Sequence, residues 1–400
     1  MRNMTVISMF FFLFIIGCER NRKTSNKGNA LITVDLTASY PHKELILQDF
    51  MDVEYIVLET NDEFLCQGRV LDIGKEIMLV RNNRDDGDIF VFDRKGKGLR
   101  KINRRGQGGE EYTTYSFRNI TIDEENNEMF VNDVKKINVY NLEGNFLRSF
   151  LKNEGTNYSF LSNYNREYLI GRETTLHIDK KSTESLPYVI ISKKDGSIIK
   201  DFRISFEQGI NPVFSVTDGI GSPTMFIDVT NYFNSIIPFH NSWILTELSS
   251  DTIYQLLPNY RIYPFMTRTP SIHSSMNPEI FLFFKIFTDR YYFFESFKKT
   301  IDRSILGGFP RTNFVFDCQE KTIHKYDAYN YDYVTKKKID FLWAVFTTYN
   351  DNEIVFHLKI EAYELTKLFE EGELKGKLKE IASTLDDDSN PIIMVVKHKK

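Results

Sequence analysis

The sequence has few cysteines and lacks the short motifs that identify many catalytic or metal-binding proteins. Its 400 residues include three cysteines and no CxxC pair, which excludes the common zinc and thioredoxin spacings. The seven histidines show no HExxH spacing, and no GxSxG turn of an α/β-hydrolase is present. We therefore predict no metal site, no cofactor and no catalytic residue.

An excess of charge of one sign is also absent. The chain carries 51 Lys and Arg against 55 Asp and Glu, a formal net charge of −4. A nucleic-acid-binding domain usually carries a basic stripe, so we do not expect nucleic acid as a partner. Aromatic residues, in contrast, are abundant: 34 Phe and 21 Tyr favour strands over helices. The composition indicates a soluble, β-rich globular protein.

One sequence pattern occurs twice. DIFVFDRKGKGLRKI (88–102) and KINVYNLEGNFLRSF (136–150) each contain an apolar strand, a Gly-bearing turn and a second strand that begins with Leu-Arg. Gly96 and Gly144 hold equivalent places, and the stretch 117–133 supplies two further strands between the copies. Four strands per repeat are typical of a β-propeller blade.

Counting outward from this repeat yields six sets of strands, of which the last is one strand short. The strand VEYIVLE (53–59) precedes the first set, and we expect it to complete the sixth blade, because a propeller closes by joining its two chain ends. Apolar residues at helical spacing predict one helix between 360 and 385. The predicted fold is all-β: a six-bladed β-propeller of four-stranded antiparallel blades, closed by N-terminal strands, with one C-terminal helix inserted in the last blade.

The first residues predict export and a lipid anchor. The apolar segment of 6–18 is too short to span a bilayer and ends in Ile-Ile-Gly-Cys, which resembles the lipobox of bacterial lipoproteins. We expect a signal peptide at 1–17, a tether at 18–29 attached to the membrane through lipidated Cys18, and the propeller at 30–400. The alternative is an ordinary signal peptide that happens to end near a cysteine.

The longer stretches VEYIVLET, FVFDRKGKGLRKINRRGQGGEEY, ITIDEENNEMFV and NPIIMVVKHKK, together with the lipobox, resemble the six-bladed β-propeller lipoproteins of Bacteroidota. This family is similar to NHL-repeat and TolB-like propellers. The resemblance implies an architecture and a location in the cell envelope, either periplasmic or at the outer-membrane surface. It implies no catalytic residues.

The glycine-rich stretch of 106–112 has two interpretations. It lacks the Lys-Ser/Thr of a phosphate-binding P-loop and leads into a strand, so we expect a crossover between blades whose glycines adopt positive φ. If this loop also binds a ligand, the candidate residues are Arg104, Arg105 and Glu110.

The segment 281–297 contains nine aromatic residues in seventeen. We expect most of these rings to pack between neighbouring blades. Rings left exposed, with Tyr291 and Tyr292 as the candidates, would form a platform for a ligand such as a sugar or a peptide.

Two functions from different classes follow. The first is a non-enzymatic, monomeric module that binds an envelope protein, a peptide or a glycan. The alternative is a lyase or hydrolase with a metal or His site at the central channel, formed by two or more of His177, His240, His324 and His357. A structural envelope protein is a third. Cys66 and Cys318 fall in distant blades, so we expect two free, buried thiols.

Overall fold

The computed structural model describes residues 31–82, 86–113, 120–154, 156–174, 182–211, 213–216, 225–228, 233–300, 302, 309–341 and 354–399. The predicted signal peptide, the tether and Cys18 lie outside the described residues. Within them, no helix is long and apolar enough to cross a membrane.

The strands form a ring of six sheets, which confirms the predicted six-bladed β-propeller. The N-terminal elements are β1 (Ile32–Asp35), β2 (His42–Ile46), α1 (Leu47–Phe50) and β3 (Met51–Val57). Blade 1 contains β4 (Arg69–Ile73), β5 (Ile77–Arg81), β6 (Asp88–Asp93) and β7 (Gly98–Asn103). Blade 2 contains β8 (Ile120–Asp123), β9 (Glu128–Asn132), β10 (Lys136–Asn141) and β11 (Phe146–Leu151). Blade 3 contains β12 (Asn157–Asn163), β13 (Tyr168–Thr174), β14 (Tyr188–Ser192) and β15 (Ile198–Phe202).

A two-stranded hairpin, β16 (Val213–Val216) and β17 (Met225–Asp228), precedes the fourth blade. Blade 4 contains β18 (Ile236–Phe239), β19 (Ser242–Leu245), β20 (Thr252–Leu256) and β21 (Ile262–Thr269). Blade 5 contains β22 (Ile280–Phe287), β23 (Tyr291–Lys298), β24 (Arg311–Asp317) and β25 (Thr322–Tyr329). Blade 6 contains β26 (Ile354–Ile360), α2 (Ala362–Glu370), α3 (Gly376–Ala382) and β27 (Ile392–His398).

The ring closes through the N-terminal strand β3, as the strand count predicts. β3 pairs with β27 in antiparallel register from Met51 opposite His398 to Val57 opposite Ile392. The last sheet thus has the order β26-β27-β3 among the described strands. The inner strand predicted at 340–346 lies mostly outside the described residues.

The N-terminal segment also covers two other blades, which sequence reasoning did not foresee. β1 pairs in parallel with β21, the outer strand of blade 4, and β2 pairs in parallel with β25, the outer strand of blade 5. We call residues 32–57 the N-terminal strap. It gives blades 4 and 5 a fifth strand each and so covers two sheet edges that would otherwise expose unpaired backbone groups.

Burial explains why the repeated strand pattern can be recognised in the sequence. The second and third strands of a blade lie between two neighbouring blades, so every residue of β5 and β14 is buried, while the outer strand β15 is exposed along most of its length. Buried polar side chains join the innermost strands of neighbouring blades. Asp72 Oδ2 accepts the backbone N–H of Ile122 (2.8 Å), and Thr121 Oγ1 donates to the carbonyl of Leu161 (2.8 Å).

The turn glycines behave as expected, and the helical insertion differs in one detail. Gly96 and Gly144 adopt φ values of +85° and +87° in the turns between the third and fourth strands of blades 1 and 2. The insertion between β26 and β27 is helical as predicted, but Gly372, with φ of +73°, separates α2 from α3. A residue in the left-handed region ends an α-helix, so one amphipathic pattern produces two short helices.

Candidate functional site

A pocket of about 300 Å³ lies between blades 5 and 6, on the face of the ring that carries the connections between blades. We call this the loop face. Apolar side chains form the floor: Tyr333, Ile339, Leu358, Ile360 and Met394. Polar side chains form the rim: Asn330, Lys337, Lys338, Asp340, Lys359 and Glu364. An apolar floor with few polar groups around it is the usual composition of a ligand pocket.

Three segments far apart in the sequence build this pocket. The last residues of β26 lie beside the first residues of β27, with Leu358 opposite Met394. The connection from blade 5, residues 330–340, folds onto the turn between α2 and α3, where the N–H of Val334 donates to the carbonyl of Glu373 (2.8 Å). Helix α2 covers one side and buries Leu365 in the core. The helical insertion therefore serves as one wall of the pocket.

The cations of the rim are not equally neutralised. Lys338 Nζ lies 2.9 Å from Asp327 Oδ2, and Lys359 forms an ion pair with Glu361. Lys337 Nζ lies 5.0 Å from the centre of the Tyr333 ring and has no carboxylate partner among the residues that the structure describes. Lys337 is thus the rim cation available to a ligand.

Buried charges lie behind the rim. Arg311 binds Asp340 with two contacts (2.9 and 3.2 Å), and Arg311 Nη1 lies 3.8 Å from Glu295 Oε2. Glu295 is fully buried, and this burial raises the pKa of its carboxyl. Neighbouring Lys285 is also buried and opposes that shift. These groups fix the position of Asp340 at the inner edge of the pocket.

The glycine-rich loop is a crossover between β7 and β8, as expected, but its glycines do not adopt positive φ; that expectation is wrong. The carboxylate of Glu111 packs against Gly106, where an added Cβ would lie 1.9 Å from Glu111 Oε2 and would displace this side chain. The loop is held by the buried Tyr112, whose hydroxyl donates to the carbonyl of Gly87 (2.6 Å).

The candidate residues of this loop are exposed. Arg104 Nε donates to the carbonyl of Gly144 (2.9 Å), which orients its side chain across the seam between blades 1 and 2. Arg105 and Glu110 are exposed on the same loop. Ligand binding by these three residues stays a prediction.

The aromatic candidates pack within the ring. Tyr291 is 4% exposed and lies under Arg290 and Lys43, so the exposed platform expected there is not found at this residue. Tyr292 is half-buried against four rings, those of Phe239, Phe265, Phe287 and Phe316. The structure does not bring these tyrosines together with Arg104, Arg105 and Glu110, which belong to the connection between blades 1 and 2.

The three candidate histidines that the structure describes have separate environments, and the ring of His240 stacks on that of His398 with 5.6 Å between ring centres. His240 Nε2 lies 2.9 Å from Asp289 Oδ1, His324 Nε2 lies 3.0 Å from Glu320 Oε2, and His357 is buried in β26. His177 lies outside the described residues. In the part of the chain that the structure describes, no group of three or more His, Cys, Asp or Glu side chains could hold a metal ion. Cys66 and Cys318 are free, the first buried and the second only half-buried.

Sequence reasoning missed the pocket entirely. A signal was present, because three consecutive lysines at 336–338 follow the aromatic pair at 331 and 333. Nothing in the sequence indicated that the last residues of β26, the first residues of β27 and this connection lie next to one another.

The fold and the pocket define a six-bladed β-propeller with a helical insertion beside a loop-face pocket. The chain belongs to the family described as Domain of unknown function (DUF4934), whose model matches residues 31–397.

A solved structure shows the same fold at low identity. The structure named "Putative exported protein" from Bacteroides fragilis is 15% identical with a TM-score of 0.59, and the match covers 92% of this chain and all of that one. A DUF4221 family member from Bacteroides vulgatus is 11% identical with a TM-score of 0.47, over 88% of this chain and all of that one. No curated protein matches the chain.

Proposed function

We propose that the protein is an exported, lipid-anchored propeller of the cell envelope that binds a protein, peptide or glycan at its loop face. The observation that carries the binding role is the pocket between blades 5 and 6, with an apolar floor and, at its rim, Lys337, which forms no ion pair with any described carboxylate. The helical insertion of blade 6, which is an addition to the four-strand pattern of the other blades, contributes Glu364 to one side of the pocket.

The envelope location rests on the N-terminal sequence, in which an apolar segment too short to span a bilayer ends at Cys18. The name of the Bacteroides fragilis structure, "Putative exported protein", is in keeping with it. Cys18→Ser should abolish labelling by radioactive palmitate and release the protein from the membrane fraction. Unchanged membrane association of this variant would contradict the anchor.

The binding role is tested by chemical cross-linking in the native envelope. Leu358→Trp adds volume to the pocket floor from a half-buried position, so we expect it to remove the cross-linked partner of the unmodified chain. Ile199→Trp is the control, because Ile199 lies exposed on the outer strand of blade 3. Identical cross-links in both variants would refute binding at this pocket, and no cross-link from any form of the protein would refute the binding module.

A further inference from the structure

The N-terminal strap covers the outer strands on one half of the ring and leaves the other half uncovered. β1 and β2 lie outside blades 4 and 5, and β3 is the outer strand of blade 6. Among the residues that the structure describes, β7, β11 and β15 are the outermost strands of blades 1 to 3. Proteins usually protect such outer strands with charged side chains or bulges. The outer strands of blades 2 and 3 expose large aliphatic side chains as well.

These aliphatic side chains belong to two adjoining strands, β11 and β15. Four of them are between 43% and 85% exposed: Leu147, Leu151, Ile198 and Ile199. Arg148 Nη2 of β11 donates to the carbonyl of Lys193 (2.6 Å), and Phe150 packs against Gly196, so β11 lies against the turn that precedes β15. We call the four aliphatic residues the apolar edge. Apolar side chains that cluster on a surface mark a place where a protein or a membrane binds.

A β-bulge in each strand decides what kind of contact the apolar edge can make. The pairing of β11 with β10 skips Leu147, and the pairing of β15 with β14 skips Ile199. Each skipped residue lies three positions after the glycine of the preceding turn. A bulge disturbs the regular backbone spacing that a further strand needs for pairing. The apolar edge is therefore suited to contact through its side chains and not to the addition of a strand.

The charges around the apolar edge are balanced. The two outer strands with their turns, 141–154 and 192–203, contain six basic and four acidic residues. Two of the basic residues, Arg148 and Lys193, form ion pairs with Glu128 and Asp123 of neighbouring strands. Six basic residues thus face six acidic ones. The attraction that this surface offers is apolar, and its charge selects no partner of one sign.

The position of the strap indicates what covers the apolar edge. β1 lies outside blade 4, the blade next to blade 3, and its first residue, Ile32, is joined to Cys18 through residues 19–31. The fourteen steps from Cys18 to Ile32 span at most about 50 Å. A domain of this size has a radius of gyration of about 21 Å and so a diameter of about 55 Å. A lipid on Cys18 therefore keeps the outer edge of blade 4 within about one domain diameter of the bilayer.

We propose that the apolar edge rests on the bilayer that holds the lipid of Cys18, with its four aliphatic side chains among the lipid headgroups and upper acyl chains. This inference rests on the lipid anchor of the proposed function and adds a second, non-covalent contact with the same membrane. Because the tether keeps the edge close to the bilayer, a weak contact suffices. The ring then stands on its outer edge, and the pocket of the loop face stays open to a partner.

The first test measures flotation with vesicles of phosphatidylcholine, using the polypeptide 19–400. This polypeptide contains every residue that the structure describes and lacks both Cys18 and the apolar segment before it. We expect reversible binding at millimolar lipid. About 0.5 M NaCl should leave this binding unchanged, because salt screens charges and the charges of the edge are balanced.

Two double variants identify the surface that binds the vesicles. Leu147→Ser with Ile198→Ser should lower the partition coefficient by about 10-fold or more. Val334→Ser with Tyr363→Ser is the matched control, because these side chains are 54% and 56% exposed beside the pocket, and it should change the coefficient by less than about 2-fold. All four positions are exposed, so both variants should fold, and thermal unfolding confirms this.

Three results of this test would overturn the proposal: no flotation at millimolar lipid, equal effects of the two double variants, or binding that needs anionic lipid and disappears in salt. The failure is distinguishable from failure of the anchor. The vesicle test contains no lipid on the protein, so absence of flotation overturns this inference alone. Absence of palmitate labelling at Cys18 overturns the anchor and this inference together.

A second test uses the full chain in the native envelope, with a photo-cross-linking residue at Leu151 or, as the control, at Tyr363. Adducts with lipid from position 151 and not from position 363 support the proposal. Adducts from position 151 with another protein, or with a second copy of this chain, overturn it, because the apolar edge is then a protein interface. Equal lipid adducts from the two positions, or none from position 151, also overturn it.

Discussion

Substitution of Gly96 by Ala should weaken the packing of blade 1 against β3, the strand that closes the ring. Gly96 lies in the turn between β6 and β7 with φ of +85°, and an added Cβ would lie 1.9 Å from the carbonyl oxygen of Val57, the last residue of the closing strand β3. The positive φ costs a non-glycine residue about 1–3 kcal/mol. The clash adds to this cost because the atom in the way is backbone, which yields only if β3 moves. We expect a total loss of about 3–5 kcal/mol.

Two other glycines separate these contributions. Gly144 has nearly the same φ, +87°, but the atoms nearest to its added Cβ belong to the side chain of Ile102, at 2.8 Å and beyond. Gly144→Ala should therefore cost about 1–3 kcal/mol. Gly109 has neither a positive φ nor any atom within 4 Å of an added Cβ, so Gly109→Ala should change stability by less than about 0.5 kcal/mol.

The assay is thermal unfolding of the three variants. At about 2.1 cal/mol/K per residue over a domain of this size, a loss of 4 kcal/mol lowers the Tm by about 5 °C. Equal shifts for Gly96→Ala and Gly144→Ala would refute the clash with β3. A shift for Gly109→Ala as large as the other two would refute the geometric reasoning altogether.

Two further predictions concern the strap and the thiols. Lys43 of β2 binds the fully buried carboxylate of Asp317 (2.8 Å), so Lys43→Met should lower the free energy of unfolding by about 1–2 kcal/mol. The matched control is Lys336→Met, which removes an exposed ion pair with Glu44 of the strap. This change should lower the free energy of unfolding by less than about 0.5 kcal/mol. Equal urea midpoints for the two variants would contradict this difference. In the folded chain with Cys18→Ser, the half-buried Cys318 should react with a disulfide reagent at pH 8 before Cys66, whose pKa burial raises to about 11. Because this pKa of Cys66 lies above that of the unfolded thiol, stability should fall as the pH rises from about 9 to 11. Faster reaction of Cys66 would contradict the burial.

The repeated pattern made the architecture predictable, because the strands at the middle of each blade are buried on both faces and read as apolar runs. The closing strand was predictable for a related reason. In a closed ring every blade is complete, so the sixth blade, which lacks a strand at the C-terminal end of the chain, must take the extra strand found before blade 1. β2 was not predictable. Its sequence, HKELI, shows no apolar alternation because it lies at the outer edge of a blade, where backbone pairing and ion pairs hold it rather than burial.

The site was less accessible to sequence reasoning. The many aromatic residues around Tyr291 led to the prediction of a ligand platform there. The structure shows instead that Arg290 and Lys43 pack over the Tyr291 ring and bury it. The pocket depends on three segments that lie beside one another only in the folded blade, and its floor residues look like ordinary strand residues. The three consecutive lysines at 336–338 were a local signal for the site. The net charge of the whole chain is negative, so it does not reveal this local run of positive charge.

The order of attachment along the N-terminal strap has a mechanical consequence. A pulling force applied at Ile32 acts along β1, so it loads the pairs from Ile32–Met266 to Asp35–Thr269 in shear, and these must break together rather than one after another. β2 would carry the load next, and β3 only after both had detached. The strand that closes the ring is therefore the last of the three to experience tension. A force on the N-terminus acts first on the pairing of the strap with blades 4 and 5, and only afterwards on the pairing of β3 with β27.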